Sequence, residues 1–467
     1  MSFMHKVTIG GAVYEAGNGE RLSEVLMRNG LAVDHPCGGR GVCGKCKVTV
    51  DGNEELSCKY IIHSDIKVEL CKASDISSES GAEESGVITE NLAFALDIGT
   101  TTLALALISL DEKRIIKVVT ASNPQRIFGA DVMTRISYCK QNGTNELKSK
   151  LIDEINRLIA AFGGLSVDAL YVSGNVTMLH LFFGIDCSTI GVAPYTPVFL
   201  KSKISDAAEL GIIGVNTVIS LPSIASFVGA DIVSGLDYIG IPAEGKYNLL
   251  IDLGTNAEIV LYSNKSGVAT AAAAGPCFEG AGISCGMSAT RGAIYSFKIC
   301  DGEVSYKTIG DSTPIGICGT GLIDVIAELV RNDIIDETGY IDDDYTICDG
   351  VSLSCSDVRQ YQLAKSAVCS AILTLMKREN IGYEDIAAMY ISGGFSAKIN
   401  IRNAADSGLL PEELSDKAIA INNSSLLGTV KYACERTELS FFTDKIKHVD
   451  LSCDSYFSEL FIENMMF

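Results

Sequence analysis

The chain has 467 residues, with 37 Lys and Arg against 58 Asp and Glu, for a formal net charge of −21. That length is too great for one small core and calls for two or three domains. The acidic balance argues against a nucleic-acid binder, whose phosphate contacts need clustered Lys and Arg, and against an anionic membrane surface as partner. Hydrophobic residues are 47% of the chain, enough for well-filled cores. No apolar run approaches the roughly 18 residues of a spanning helix. Met1 to Val13 has no basic segment followed by an apolar one. A soluble cytoplasmic protein is expected.

Cysteine is abundant, at 16 residues. Without a secretory leader this fits a reducing, anaerobic cytoplasm better than a disulfide framework. Most cysteines stand singly in apolar segments (Cys139, Cys187, Cys300, Cys369, Cys434) and are expected as small buried hydrophobes.

The amino-terminal stretch 1–72 is electrically balanced, with nine basic and nine acidic side chains. Two strands are predicted, Lys6 to Ile9 and Ala12 to Glu15, followed by a helix from Arg21 to Asn29 stopped by Gly30. The next loop carries Cys37, Cys43 and Cys46. Cys58 follows a strand and turn, giving the spacing C-x5-C-x2-C-x11-C. A [2Fe–2S] cluster needs four thiolates, two per iron, from such a folded loop. Gly38, Gly39, Gly41 and Gly44 let the loop wrap it closely. The loop is one residue longer than the plant-type spacing and resembles ferredoxin-like domains of the adrenodoxin type. A small α+β β-grasp domain is the expected frame. A four-cysteine zinc site is the alternative, although only Cys43 and Cys46 form a knuckle. Cys71 is the alternative fourth ligand to Cys58.

Residues 73–90 carry five acids, no Lys or Arg, and many Ser and Gly. They read as a flexible acidic linker, either a plain spacer or a tether for a mobile redox module.

From Asn91 onward strand and helix periods alternate. Ala93 to Leu107 reads as a buried strand, a turn at Asp97-Ile-Gly99-Thr100-Thr101-Thr102, and a second strand. The same pattern returns at Asp252-Leu-Gly254-Thr255-Asn256, again between apolar strands. An internal duplication is the main architectural expectation. An Asp ending a buried strand can hold a hydrated Mg2+. The Gly permits the turn, and the amides and hydroxyls form a nest for phosphate oxygens. Two such hairpins across a cleft would grip one polyphosphate. A third element, Ala388 to Ser396, is a strand running into Gly393-Gly394-Phe395, where paired glycines let an adenine ring lie against backbone.

These three elements resemble the ATPase core shared by actin, hexokinase, Hsp70 and acetate kinase. Ser173-Gly-Asn175-Val-Thr-Met-Leu-His180, Ala274-Gly-Pro-Cys-Phe-Glu279, Gly316-Ile-Cys-Gly319-Thr-Gly321 and Gln362-Leu-Ala-Lys365 resemble more narrowly the reductive activators of corrinoid enzymes. The fold class implied is α/β: a duplicated ribonuclease-H-like ATPase core over 91–467, with lobes of about 91–245 and 246–467, after a β-grasp ferredoxin domain. The resemblance implies ATP, Mg2+ and a [2Fe–2S] cluster as cofactors. It also implies cob(II)alamin of a corrinoid protein as electron acceptor, reduced to cob(I)alamin so that methyl transfer resumes. A separate reductant must supply the electron, and a homodimer is left open. The commoner form of the family carries a middle domain after the linker. This chain is expected to be a short form lacking it.

Other residues keep two readings. Glu279 either holds a magnesium-bound water as a catalytic carboxylate or caps a turn. Glu258 faces nucleotide or solvent. Gly319 and Gly321, before a helix from Leu322 to Leu329, meet an anion or only pack closely. His180, in an apolar run, is expected as a satisfied core histidine. Two other functional classes stay alive: a small-molecule kinase with a fused ferredoxin, and an activator of another low-potential metalloenzyme.

Overall fold

A computed structural model describes residues 4–29, 31, 46–70, 77–79, 91–129, 131–394 and 398–467. The chain forms two compact units, Met1–Phe199 with Lys203–Ser220, and Leu200–Ser202 with Leu221–Phe467.

The first unit opens with β1 (Met4–Ile9), β2 (Ala12–Gly17), α1 (Leu22–Arg28), β3 (Lys47–Val50), β4 (Asn53–Leu56) and β5 (Ile66–Glu69). Their sheet order is β2-β1-β5-β3-β4, with β1 parallel to β5 and the other pairs antiparallel. This is the β-grasp order. Alternate residues point inward, as a half-buried strand requires. Val7, Ile9, Val48, Val50, Ile66 and Val68 thus form one core with Leu22, Val25 and Leu26 of α1.

A short strand, β6 (Ser77–Glu79), lies inside the expected linker and pairs antiparallel with a later strand, β9. The rest of 73–90 lies outside the described residues. Next come β7 (Leu92–Ile98), β8 (Thr102–Ser109), β9 (Arg114–Ser122), α2 (Val132–Asn142), α3 (Asn145–Ala160), β10 (Val167–Gly174), α4 (Val176–Phe183), β11 (Ile204–Asp206), α5 (Ala207–Leu210) and β12 (Val215–Ser220). Their sheet runs β11-β12-β10-β7-β8-β9-β6.

The second unit contains α6 (Ala230–Ile239), β13 (Tyr247–Leu253), β14 (Ala257–Tyr262) and β15 (Gly267–Ala272). There follow β16 (Ala293–Cys300), β17 (Glu303–Thr308), β18 (Gly316–Ile317), α7 (Gly319–Arg331), β19 (Tyr345–Cys348), β20 (Val351–Leu353) and α8 (Cys355–Glu379). The chain ends with β21 (Ile386–Ser392), α9 (Ile401–Asp406), β22 (Ala418–Ala420), α10 (Ser424–Glu435), α11 (Ser440–Lys445), β23 (Ile446–His448) and α12 (Ser455–Glu463). The main sheet runs β22-β21-β13-β14-β15-β23.

The duplication is visible in the strand order. Each half has an antiparallel meander (β7-β8-β9; β13-β14-β15). In each, a strand parallel to the first lies on its far side (β10; β21), and another parallel strand lies beyond that (β12; β22). Two helices follow each meander before the parallel strand, α2 and α3 in the first half and α7 and α8 in the second, and the second half adds β16 to β20 among them.

Strand β13 is buried on both faces, which explains its unbroken apolar run. Leu249, Ile251 and Leu253 join the core of α7 and α8. On the opposite face Leu250 reaches α6, where its Cδ2 lies 3.5 Å from the place a Cβ on Gly235 would take. Among the described residues no helix is long and apolar enough to cross a membrane.

Helices α6 and α10 meet with almost no side chain between them. A Cβ on Gly428 would fall 1.8 Å from the carbonyl oxygen of Ser234. Gly428→Ala must therefore separate the helices. A loss of about 1–3 kcal/mol is expected from such overpacking, read as a lower denaturation midpoint with the β-grasp unit unaffected.

Candidate functional site

Strand β7 is apolar and buried from Ala93 to Leu96, and half-buried Asp97 stands one residue before its end at fully buried Ile98. The carboxylate breaks the apolar run, and the chain turns just after it. Gly99 N–H donates to Thr102 O at 3.0 Å, and a Cβ on Gly99 would lie 2.6 Å from that same oxygen. Three loop carbonyls are bound from behind. Asn123 donates from Nδ2 to Gly99 O at 2.8 Å and from its backbone N–H to Thr101 O at 2.8 Å. Arg135, fully buried on α2, donates from Nη2 to Thr100 O at 2.6 Å and from Nε to Gly129 O at 2.9 Å. Carbonyl oxygens held on the protein side do not repel an anion on the other, and a fixed guanidinium behind the loop attracts one. Asn175 donates from Nδ2 to Thr100 Oγ1 at 3.1 Å.

The second hairpin repeats the backbone. Half-buried Asp252 again stands one residue before the end of its strand, at buried Leu253, and Gly254 N–H donates to Asn256 O at 2.9 Å. Its surroundings differ in charge. Thr255 donates from Oγ1 to Glu279 Oε2 at 2.5 Å. Asp252 lies opposite Glu258 across the β13–β14 pair. Burial first, then the charges of Asp231 and Asp252, with a smaller contribution from Glu279, hold the Glu258 carboxyl well above the usual range. Glu258 therefore belongs to an acidic group rather than to open solvent. Among the described residues no three His, Cys, Asp or Glu side chains converge to bind a metal ion directly. Carboxylates spaced in this way suit a cation that keeps its waters.

The repeat extends further than the sequence reading recognised. Asp97 pairs with Ser173 on β10, and Asp252 pairs with Ser392 on β21. Leu170-Tyr-Val-Ser-Gly174-Asn175 and Met389-Tyr-Ile-Ser-Gly393-Gly394 are thus equivalent segments. In both, a glycine presses on the hairpin strand. A Cβ on Gly174 would fall 2.8 Å from Ile98 O, and one on Gly393 would fall 2.2 Å from Leu253 O. Both glycines also have positive φ, 154° and 123°. Gly393 thereby sits beside the second hairpin, and Gly394 has open space beside it. Phe395 lies outside the described residues.

Gly319 and Gly321 open α7, which is longer than predicted at Gly319–Arg331. Cβ atoms there would fall 2.1 Å from Phe278 O and 2.1 Å from Ile294 O, so close packing alone accounts for both glycines. His180 is a satisfied core residue. Its Nδ1 bonds Val176 O at 2.7 Å, and its Nε2 accepts from Val198 N at 3.0 Å. Cys139, Cys187 and Cys369 are buried as expected, whereas Cys300 is exposed and Cys434 half-buried. Cys300 ends β16, where the outward-facing register leaves it in solvent.

Cys37 and Cys43, with the alternative ligand Cys71, lie outside the described residues. Cys46 and Cys58 are 1% and 3% exposed, and their Sγ atoms lie 3.1 Å apart. Ser57 N–H donates to Cys46 O at 2.9 Å and ties the two segments together. Two adjacent thiols in an apolar core are the donor set that iron in a cluster takes.

Asn123, Arg135 and Asn175 were absent from the predicted nucleotide-binding set. Arg135 had a legible signal, since it sits on the buried stripe of α2 beside Ile136 and Cys139.

Comparison with known proteins follows the same division. Residues 7–69 match the 2Fe-2S iron-sulfur cluster binding domain, 92–244 the RACo middle region, and 246–467 the C-terminal domain of RACo, the ASKHA domain. The corrinoid activation enzyme RamQ of Eubacterium limosum is 29% identical over 416 residues, 80% of this chain and 70% of that protein. The Co(II) methylated amine-specific corrinoid protein reductase of Methanosarcina barkeri is 28% identical over 382 residues, 74% of this chain and 70% of that one. A solved structure of a reductive activator for corrinoid, iron-sulfur protein matches with a TM-score of 0.74 at 26% identity, covering 99% of this chain and 98% of that one. One expectation is overturned. The chain is not a short form without a middle domain, because 92–244 match the middle region. That region contains the whole first repeat, β7 to β12.

The Gln362–Lys365 segment of α8 binds the last residues of the chain. Gln362 Nε2 donates to Met465 O at 2.7 Å, and Lys365 Nζ donates to Met466 O and lies 4.6 Å from the centre of the Phe467 ring. Burial pulls the Lys365 ammonium down from 10.5 to about 8. The fold thus binds this proton less tightly than the unfolded chain does. Its contribution to stability rises as pH rises between those two values. Lys365→Met is expected to remove that rise. The check is the denaturation midpoint at both ends of the window for wild type and variant.

Proposed function

The chain belongs to the RACo family, and from that premise we propose that it is an ATP-dependent reductive activator. In this reading it passes one electron to cob(II)alamin of an inactivated corrinoid protein and regenerates cob(I)alamin for methyl transfer. The observation that carries the reading is the union in one chain of a buried thiol pair, 3.1 Å apart, with two hairpins of one duplicated pattern. Electron transfer and nucleotide use are thereby joined covalently.

Held by Cys37, Cys43, Cys46 and Cys58, a [2Fe–2S] cluster would supply one-electron transfer. In the first turn, Gly99 to Thr102, the amides and hydroxyls after Gly99 offer donors to the ATP phosphates. In the second, Gly254 to Asn256, only the amides after Gly254 do, because the Thr255 hydroxyl is given to Glu279. Asp97 and Asp252 hold waters of Mg2+. Glu279, fixed by Thr255, orients a further water. Gly393, Gly394 and Phe395 form the adenosine side, and Gly319 supports the Glu279 turn by close packing. The domain assignment that goes with this is 1–72, a connector over 73–90 that includes β6, and 91–467. A separate reductant supplies the electron, and the cytoplasm is the setting.

ATP is needed because a plant-type cluster sits near roughly −400 mV. Each further ~59 mV asked of one electron costs a factor of ten in equilibrium. Two relatives are themselves described as activating or reducing a corrinoid protein.

The test is anaerobic mixing of the chain, a chemical reductant and a cob(II)alamin-loaded corrinoid protein, followed by cobalt absorption. Cob(I)alamin is expected only with MgATP. Cys46→Ser and Cys58→Ser should abolish its formation while leaving ATP hydrolysis measurable. Equal cobalt reduction without ATP would end the coupling idea.

A further inference from the structure

Resting on the ATP-binding reading above, we propose that Asn175 is a positioning residue. It fixes the Thr100 hydroxyl as a hydrogen-bond donor to a phosphate oxygen of the nucleotide. The duplicated threonines Thr100 and Thr255 then have opposite polarity, although their backbones repeat.

The polarity of Asn175 follows from its bonds. It is the N-cap of α4, and its Oδ1 accepts from Met178 N–H at 2.9 Å. Helix amides can only donate, so the oxygen must face them. The Nδ2 group, which can only donate, is thereby turned to Thr100 Oγ1 at 3.1 Å. A hydroxyl has one proton and two lone pairs. Asn175 takes a lone pair and cannot accept the proton. Thr100 is half-buried at the loop surface, and its carbonyl is already held by Arg135. The O–H is left to donate outward, and phosphate oxygens are acceptors.

Thr255 is the opposite case. The position equivalent to Asn175 is Gly394, which has no side chain to lock a hydroxyl. Instead Thr255 Oγ1 donates to Glu279 Oε2 at 2.5 Å. An ionised carboxylate has only acceptors, and this is the distance of a charge-assisted O–H···O bond. The Thr255 proton is spent, and lone pairs remain. Those suit a water, free or bound to a cation, and repel a phosphate oxygen.

The experiment measures MgATP affinity and turnover for the full chain, purified anaerobically. Asn175→Asp keeps the helix cap, because Asp caps as well as Asn. It replaces the donor by an acceptor, so Thr100 must turn its proton inward. Asn175→Asp and Thr100→Val are each expected to weaken ATP binding about tenfold or more. The double variant should bind within about twofold of Thr100→Val alone, since both changes remove one interaction. Thr255→Val should lower turnover with ATP affinity near wild type, and Thr255→Ser should restore it. Wild-type affinity in Asn175→Asp would overturn the proposal. So would full additivity in the double variant, which would mark simple charge repulsion. A wild-type chain that binds no ATP would overturn the ATP-binding reading itself, a separate and visible result.

Discussion

A carboxylate set one residue before the end of a buried strand cannot be enclosed by an apolar core, and both halves of the core are built around that constraint. Strand β7 is apolar from Leu92 to Leu96 before Asp97, and β13 from Leu249 to Ile251 before Asp252. Each strand continues for one buried residue, Ile98 or Leu253, and then turns, which keeps the carboxylate half-buried at the edge of the core. The parallel neighbour ends at the same level with a glycine pressed on the hairpin strand, Gly174 on Ile98 O and Gly393 on Leu253 O. In each half, the candidate site residues are thereby gathered at the carboxyl end of the parallel strands, where open α/β sheets leave their crevices.

From that common frame the halves diverge in charge. Behind hairpin one lies the Arg135 guanidinium, fully buried and bonded to loop carbonyls. Around hairpin two lie Asp252, Glu258, Glu279 and Asp231, close enough for their charges to push the Glu258 carboxyl upward. A phosphate gains more from the first environment than from the second, and a hydrated cation gains more from the second. Gene duplication supplies two copies of a turn. Side chains on other elements give each copy its own electrostatic task.

Much of this was readable from residues. The duplicated Asp-x-Gly-Thr turns, the β-grasp frame and the thiols of Cys46 and Cys58 declare themselves by local pattern. Periods of two and tight turns act over a few residues. The supporting network did not declare itself. Asn123, Arg135 and Asn175 reach the first hairpin from three different elements, and nothing in their local sequence names Thr100 as the target. The second arm of the repeat, at Ser173 and Ser392, was hidden by spacing. The strands β16 to β20 of the second half move its partner strand far along the chain. The middle region was missed for another reason: the first hairpin follows the linker at once, which left no room for a separate domain, whereas that hairpin lies inside the matched 92–244.

Glu279 is only as well placed as the turn that carries it. Residues Pro276–Glu279 form a single 3-10 turn, too short to hold a carboxylate by its own bonds. Its rigidity comes from packing. Phe278 O sits where a Cβ on Gly319 would be, so the turn lies directly on the start of α7. The Phe278 ring meets Tyr361 edge-on at 5.9 Å, and Phe467 stacks on the other side of Tyr361 at 6.3 Å. The Tyr361 hydroxyl is held by Ser407 at 2.5 Å. Aromatic contacts of this kind contribute about 0.5–1.5 kcal/mol each beyond area burial. The carboxylate that fixes Thr255 thus depends on two helices and the last residue of the chain. That dependence ties α7 and α8 to the Glu279 turn as closely as the hairpin itself.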